Sequence, residues 1–261
     1  MIESILFVIC LIASGIGAVV GAGGGVIIKP LADALGLLPA STISFLSGTT
    51  VLAMSVSSLI RSRNNGVKLD TEISTPVAIG AALGGIAGNI LFRMVKEASG
   101  NEAALKGIQS SALLVVLLFI LIYICIKDRL ASKHVHNRSA ALAIGLVLGL
   151  IGAFLGIGGG PNNVAVLMFF FSMDAKEAAK NSIYVILFSQ AASILFSIIM
   201  GTVPQFGILE LLAMVCGGVG GALIGAAISK RINNSKVEFL MKLLILVVIG
   251  IAFINIITSF A

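Results

Sequence analysis

GAGGG at residues 21–25 recurs as GIGGG at residues 156–160, and the second copy begins 135 positions after the first (156 − 21). Each copy follows an apolar stretch long enough to cross a membrane. Four glycines in five residues oppose a continuing helix, because each costs about 1 kcal/mol relative to alanine. A break inside hydrocarbon leaves backbone groups without partners unless protein or a cavity surrounds it. Two breaks in corresponding places of two halves are typical of a transporter's binding site.

The composition predicts an integral membrane protein. Of the 261 residues, 58% are hydrophobic and 11% are charged, whereas soluble domains carry about 25% charged residues. The net charge of +6 is explained by the lysines and arginines that orient membrane helices in short loops. No basic stretch contains aromatic residues, and tryptophan is absent, so we expect the lipid bilayer and no nucleic acid as a partner.

The remaining reactive residue types do not form a site. Glu3 precedes the first apolar run without any basic residue, so we predict a retained first span rather than a secretory signal. His134 and His136 lie in a basic loop and lack a third ligand, so we interpret them as solvated. We expect no metal and no cofactor. Three cysteines in separate apolar runs are interpreted as small hydrophobic residues: Cys10, Cys125 and Cys216.

Ten apolar runs divide the chain into two halves. Eight are close to the 20 residues that a spanning helix needs: 2–21, 40–60, 73–92, 107–126, 139–157, 181–200, 206–228 and 239–260. Two shorter runs, 24–38 and 161–173, follow the glycine clusters. The same offset of 135 relates Ser47 to Ser182 and Ser58 to Ser193. We therefore predict a first repeat at 1–130, a basic cytoplasmic linker loop at 131–138, and a second repeat at 139–261.

A second glycine pattern predicts close helix contacts. The third long run of each half carries GxxxGxxxG, with an offset that has drifted to 137 (217 − 80). Small residues every four positions let helix backbones approach closely in lipid. The six positions are Gly80, Gly84, Gly88, Gly217, Gly221 and Gly225.

Charge favours a topology in which the short runs also cross the membrane. With eight crossings, the lysines and arginines divide seven against ten and show no bias. With five crossings per half, three lie on one side, at Arg93, Lys96 and Lys106, and Lys29 lies inside a short run. Thirteen then lie on the other, cytoplasmic side: Arg61, Arg63, Lys68, Lys127, Arg129, Lys133, Arg138, Lys176, Lys180, Lys230, Arg231, Lys236 and Lys242.

An odd number of crossings inserts the two halves in opposite orientations. The predicted fold is therefore an all-α polytopic membrane protein of two inverted repeats, each with four long helices and one short broken helix after its GxGGG cluster. Both termini would be extracytoplasmic. Runs of 13 to 15 residues cover only about 20 Å, so whether the segments 24–38 and 161–173 span the whole bilayer stays open.

The glycine breaks predict an anion site. Each break begins a short helix whose first N–H groups lack intrahelical partners and whose macrodipole is positive at that end. Two such ends around a pseudo-two-fold axis would bind an anion with backbone groups. The predicted substrate-binding residues are Gly23, Gly24, Gly25, Lys29, Ser47, Gly158, Gly159, Gly160, Asn162, Asn163, Ser182 and Gln190.

Alternatives remain for the individual polar residues. Each serine or threonine of the neighbouring helices could instead bond to its own helix. Lys29 could balance an anion's charge, or its stem could reach the headgroups. Asp33 and Glu210 are candidates for proton coupling, or they lie at the membrane interface.

The chain resembles the TauE/SafE sulfite exporter family. The resemblance rests on the duplicated GxGGG, on Pro30, and on the tract GIGGGPNNVAVLMFFFSMDAKEAAKNS at 156–182, and it covers both halves. It implies a secondary transporter for sulfite, sulfonates or related small organic anions in a bacterial-type plasma membrane. One departure concerns the second half, where the position corresponding to Pro30 is Ala165, which leaves the substrate open.

The leading hypothesis is an anion transporter that works by alternating access. The alternative is a transporter or channel for another small solute or a cation, which would need carboxylates at depth. An intramembrane enzyme would need a nucleophile beside a base or a metal, and no apolar run carries that pattern. A coupling proton or sodium ion and assembly into a homo-oligomer stay open.

Overall fold

A computed structural model describes residues 2–63, 66–130 and 132–260, apart from the side chains of residues 128 and 260. Within these ranges the chain is helical and has no strand, and eight helices are long and apolar enough to cross a membrane. This confirms the predicted all-α polytopic membrane protein. The helices are α1 Ile2–Val20, α2 Gly25–Ala34, α3 Ala40–Ser62, α4 Thr71–Ser99, α5 Glu102–Ile126, α6 Arg138–Leu155, α7 Pro161–Phe171, α8 Ala175–Ile199, α9 Ile208–Ser229 and α10 Asn234–Phe260.

The glycine clusters interrupt the chain where the sequence predicts. The helix α1 ends at Val20 before the first cluster, and α6 ends at Leu155 before the second. The short helices α2 and α7 have 10 and 11 residues, so each rises about 15–17 Å, half of a hydrocarbon core of about 30 Å. Each short helix is therefore long enough for only about half of a crossing.

The helix α2 is shorter than its apolar run of 24–38. It stops at Ala34 because Gly36 adopts a left-handed conformation with φ of 60°. The Leu37 N–H then bonds to the Ala32 carbonyl at 3.3 Å, and the Gly36 N–H bonds to the Asp33 carbonyl at 3.2 Å. These bonds satisfy the last carbonyls of the helix, as in a Schellman cap.

The GxxxGxxxG of α9 packs against α1. Gly217 lies against the Phe7 carbonyl, and Gly225 lies against the Gly15 carbonyl. Residue numbers therefore rise together along both helices, which run parallel. The Cβ of any larger residue at Gly221 would overlap the Leu11 carbonyl, so the predicted close contact is confirmed.

The GxxxGxxxG of α4 makes the corresponding contact with α6. Gly80 lies against the Leu142 carbonyl and Gly84 against the Leu146 carbonyl, so these two helices also run parallel. The helices α4 and α6 thus pair in the same way as α9 and α1. Each pair contains one helix from each half, so these contacts hold the two halves together.

Helices that occupy the same place in the order of the two halves, such as α5 and α10, run antiparallel where they touch. At the end of α5, Lys127 Nζ lies 2.7 Å from Glu238 Oε1 near the start of α10. At the start of α5, Lys106 Nζ lies 3.3 Å from Thr258 Oγ1 near the end of α10. The third and eighth helices behave alike, since Lys180 near the start of α8 donates to the Ser62 carbonyl at the end of α3.

Hydrogen bonds sort the loops into two faces of the protein. The described parts of 61–70, 127–138, 172–180 and 230–238 are joined by bonds such as Lys180 to Ser62 and Lys176 to Asn234; they form the basic face. Segments 36–41, 99–106 and 200–207 form the opposite face, through bonds such as Ser41 to Glu102 and Thr42 to Gln205. The two groups coincide with the two sides of the five-crossing assignment.

Candidate functional site

The two glycine breaks meet in the interior of the protein. Gly25 packs against the Ile157 carbonyl, and a Cβ added at Gly160 would lie 3.4 Å from Val26 Cβ. The helix α2 leads from this point to the opposite face. The helix α7 leads to the basic face, where the Lys133 N–H bonds to the Phe169 carbonyl at 2.8 Å. The N-terminal, positive ends of both helix dipoles therefore converge where the breaks meet.

The second break requires glycine for its backbone shape and for the space it leaves. Gly159 has φ of 116°, a conformation that side chains with a Cβ rarely adopt. A Cβ there would also lie 2.5 Å from Asn163 Nδ2. The absence of a side chain at Gly159 lets the Asn163 amide fold back over the break.

Asn162 and Asn163 carry polar atoms that lack partners. The two residues are 5% and 2% exposed. Among the described residues, nothing bonds to either amide atom of Asn162 or to Oδ1 of Asn163. A buried polar group without a partner costs about 1–3 kcal/mol, so such atoms require an explanation. A bound ligand or water would supply the missing partner.

On the first short helix, Lys29 and Asp33 form a buried ion pair. Lys29 Nζ lies 2.7 Å from Asp33 Oδ2, and the two side chains are 3% and 5% exposed. The stem of Lys29 passes the second cluster, since a Cβ at Gly156 would lie 2.9 Å from Lys29 Cδ. Neither side chain therefore extends to the protein surface, and Asp33 lies one residue before the end of α2 at Ala34. Both side chains are buried because α2 lies in the interior.

Glu210 fits the interfacial interpretation. It is half-buried in the first turn of α9, and its carboxylate accepts a 3.0 Å hydrogen bond from the Gly207 N–H. A carboxylate in this position satisfies an end of the helix and interacts favourably with its dipole. Its role in the fold is that of a cap.

The neighbouring hydroxyl and amide groups fall into two classes. Those bonded to a carbonyl of their own helix, as the alternative interpretation held, are Ser44, Thr49, Thr50 and Ser189. Ser182 instead donates to the Gly21 carbonyl at 2.7 Å, so its hydroxyl holds the first break. Asn181 accepts from the Asp70 N–H at 2.9 Å and thereby fastens a loop. The buried Ser47 hydroxyl has no partner among the described residues.

A cavity of about 420 Å³ connects the opposite face with the second break. Arg93 and Lys96 lie at its mouth, and Gly156 and Gln190 line it at depth. The Gln190 side chain also packs on the cluster, since a Cβ at Gly158 would lie 3.3 Å from Gln190 Nε2. Asn162 and Asn163 do not line the cavity. They are buried behind the glycine turn that closes it.

Some cavity residues were not predicted from the sequence. Arg93 counted only as a loop charge, although it lines the mouth. Asn89 donates to the Ser193 carbonyl at 3.1 Å, and both residues line the wall. Two features of the sequence indicate wall residues: Asn89 is an asparagine in the glycine-rich helix α4, and Ser193 corresponds to Ser58 at the offset of 135.

The histidines and cysteines lie away from this site. His134 and His136 are exposed in the loop of the basic face, as their interpretation as solvated residues predicts. Cys10 is buried, whereas Cys125 and Cys216 are exposed. No group of three or more potential metal ligands occurs within residues 2–63, 66–130 and 132–260.

Comparison with known proteins agrees with this architecture. The sequence profile described as sulfite exporter TauE/SafE matches residues 6–253. The chain is 26% identical to the probable membrane transporter protein YunE of Bacillus subtilis (strain 168), over 94% of this chain and 95% of the relative. It is 25% identical to the probable membrane transporter protein YjnA of the same organism, over 89% and 93%. No solved structure matches the chain significantly.

Proposed function

Because the chain belongs to the sulfite exporter TauE/SafE family, we propose that it is a secondary transporter that moves a small anion by alternating access at the paired glycine breaks. As a member of this family, the protein is an integral membrane transporter and not an enzyme. Its partners are accordingly a small-molecule substrate and the lipid bilayer.

The amide of Asn162, whose Nδ2 donor has no partner among the described residues, carries the proposal together with the neighbouring Asn163. They lie in the first turn of α7 and are 5% and 2% exposed, next to the start of α2. A small oxyanion between the two helix ends would accept from backbone N–H groups and amide donors. The substrate-binding residues are those predicted from the sequence, with Ser182 bonded to Gly21 in this state.

The buried ion pair brings a charged group to the empty site without adding net charge there. Lys29 is balanced by Asp33 when no anion is present. An arriving anion competes with Asp33 for Lys29, and Asp33 then becomes the carboxylate to which a coupling proton or sodium ion binds. Asp33 Oδ1, which has no partner among the described residues, is the atom open to that ion.

The antiparallel contacts support an inverted repeat. Equivalent helices run in opposite directions at the α5–α10 contact, where Lys127 meets Glu238 and Lys106 meets Thr258. Repeats 1–130 and 139–261, joined by the loop 131–138, then insert in opposite orientations. With the basic face in the cytoplasm, both termini are extracytoplasmic, in a bacterial-type plasma membrane. The cavity of about 420 Å³ faces outward in this arrangement.

The substrate class can be tested on the purified protein by thermal unfolding. The ligands are sulfite, sulfate, a sulfonate, a carboxylate and divalent metal cations, each in a separate titration. A bound ligand stabilises by about 2.7 kcal/mol at 100 times its dissociation constant. We expect stabilisation by sulfite or the sulfonate. Stabilisation by the metal cations alone would contradict the proposal and favour the cation alternative.

Matched variants locate the ligand. Asn163→Leu should abolish the ligand-induced stabilisation, because it removes an amide from the site. Gln109→Leu is the control: Gln109 is also buried, at 2% exposed, and donates to the Phe154 carbonyl. It should change the melting temperature of the free protein and keep the ligand-induced shift. An intact shift in Asn163→Leu would remove that residue from the site.

A further inference from the structure

A second, much smaller cavity lies towards the basic face, and its volume is about 20 Å³. It is lined by the helices α1, α3, α8 and α9, whereas α3, α4, α6 and α8 line the large cavity. The helices α1, α3 and α4 of the first half correspond to α6, α8 and α9 of the second. Exchanging each helix for its counterpart therefore converts one set into the other. The two cavities therefore occupy corresponding places in the two repeats.

The correspondence extends to single residues. Adding 135 to Ala18, Ser58 and Ser62 in the small cavity gives residues that line the large one: Ala153, Ser193 and Ser197. Subtracting 135 from Lys180 and Ile183 gives Phe45 and Gly48, which line it as well. With the offset of 137 for α9, all ten residues that line the small cavity have their counterparts in the large one. A chance agreement of this extent between unrelated pockets is not expected.

One hydrogen bond is made beside the closed cavity and is absent beside the open one. Ser182 Oγ donates to the Gly21 carbonyl at 2.7 Å. In the other half, Ser47 (182 − 135) corresponds to Ser182, and Gly156 (21 + 135) corresponds to Gly21. The hydroxyl of Ser47 is fully buried and has no partner among the described residues. This unpartnered hydroxyl is a donor placed for a bond that the present state does not make.

Lys180 adds a second closure at the basic face. Its Nζ donates to the Ser62 carbonyl at 3.1 Å and to the Val67 carbonyl at 2.8 Å. These bonds tie α8 to the end of α3 across the small cavity. Its counterpart is Phe45, which stacks on Phe206 with ring centroids 5.8 Å apart. The open side therefore has an aromatic contact where the other side has a lysine, although Thr42 Oγ1 donates to the Gln205 carbonyl at 3.2 Å between the corresponding elements.

We propose that the small cavity is the second vestibule of the transport pathway, captured in its closed form, and that a small anion leaves or enters through it at the basic face. Opening it breaks the bonds of Ser182 to Gly21 and of Lys180 to Ser62 and Val67. Closing the large cavity lets Ser47 donate to Gly156. Lys176 and Lys180, which line the small cavity, then supply positive charge to the pathway. This inference rests on the proposed alternating access and names the residues that alternate.

Accessibility of single cysteines to a membrane-impermeant, negatively charged thiol reagent tests the inference. Ser58→Cys reports on the small cavity and Ser193→Cys on its counterpart, in a chain whose three native cysteines are replaced by alanine. Each is labelled separately from either face in vesicles of known orientation. In the present state we expect Ser193→Cys to react quickly from the opposite face and Ser58→Cys to react slowly from the basic face.

Removing a closure should shift the balance between the two vestibules. In a Ser182→Ala background, labelling of Ser58→Cys should rise about fivefold and that of Ser193→Cys should fall, as expected when a hydrogen bond made by one state only is lost. Ser55→Ala is the matched control, because the Ser55 hydroxyl is fully buried but bonds to Val51 of its own helix. It should change neither rate.

Lys180→Met provides an independent variant with the same expected direction. Unchanged labelling of Ser58→Cys in both closure variants would overturn the inference. Anion transport is measured in parallel on the same vesicles. Transport that persists while Ser58→Cys stays inert would refute the second vestibule and leave the proposed function standing. A labelling shift in protein that moves no anion would refute the substrate class instead.

Discussion

Lys29 Nζ lies 2.7 Å from Asp33 Oδ2 in the interior of the protein, with both side chains at most 5% exposed. The pair spans one turn of α2, a ten-residue helix whose first residue lies at the meeting point of the two glycine breaks. Because both charges are removed from water, each depends on the other. The short helix thus brings a charged group to the site while remaining neutral as a unit.

The buried pair should be stable only as a pair. Lys29→Met and Asp33→Asn should each destabilise the protein by about 3–5 kcal/mol, since each leaves a buried charge without its partner. The double variant should recover most of that loss in thermal unfolding. Lys96→Met is the control, because its pair with Glu102 is exposed and worth less than about 1 kcal/mol. Additive losses in the double variant would show that the two charges do not depend on each other.

Glycine at position 159 should be essential for transport but not for insertion. Gly159→Ala forces a Cβ into a left-handed backbone conformation and against the Asn163 amide. Uptake in vesicles should fall at least about tenfold, as a small displacement of binding groups can cost far more. Gly201→Ala is matched in having a positive φ of 63° but no neighbouring atom within 4 Å. Equal uptake by the two variants would contradict the role of this break.

The glycines of α4 should be required for helix packing. A Cβ at Gly84 would overlap the Leu146 carbonyl, so Gly84→Ala should destabilise by about 1–3 kcal/mol, the usual cost of overpacking. Gly250→Ala in α10 meets no atom within 4 Å and should be neutral or stabilising, because alanine favours a helix. Thermal unfolding of both purified variants measures the difference. Similar melting temperatures would argue against the close contact.

Labelling of cysteines placed at loop residues checks the two faces and their orientation. Cysteines at Arg63 and Arg129 should react only from the cytoplasmic side, and a cysteine at Lys96 only from outside. We expect this because hydrogen bonds group the loops into two faces, and one of these faces carries the excess of lysine and arginine that is typical of the cytoplasmic side. Reaction of all three from one side would end the inverted arrangement.

The helices could be predicted from the sequence because their signals are local. Runs of about 20 apolar residues and two glycine clusters suffice to place eight long and two short helices. The ends of the helices were harder to predict, because α4 extends to Ser99, beyond its apolar run at 73–92. An Asp70 side chain that accepts from the Glu72 and Ile73 N–H groups begins that helix, and Gly100 with φ of 72° ends it. Such caps depend on side chains outside the apolar pattern.

The site could be predicted in part. The breaks and the two asparagines were identified because glycine clusters and amides are conspicuous in apolar sequence. The hydrogen bonding of each polar group could not be read from the sequence. Ser47 and Ser182 share a register position, yet among the residues that the structure describes the Ser182 hydroxyl has a partner and the Ser47 hydroxyl has none. Arg93 was missed because loop charge and cavity charge look alike until α4 is packed against α8.

The sequence by itself determined that this is a membrane protein of two related halves with paired helix breaks, because composition, hydropathy and repetition are properties of the chain alone. The tertiary structure decided which groups meet: Lys29 with Asp33, Gly25 with Ile157, and Ser182 with Gly21. It also gave the two corresponding cavities different volumes, about 420 Å³ and about 20 Å³. Two halves with the same pattern can pack in more than one way, and only packing contacts between distant residues select the state.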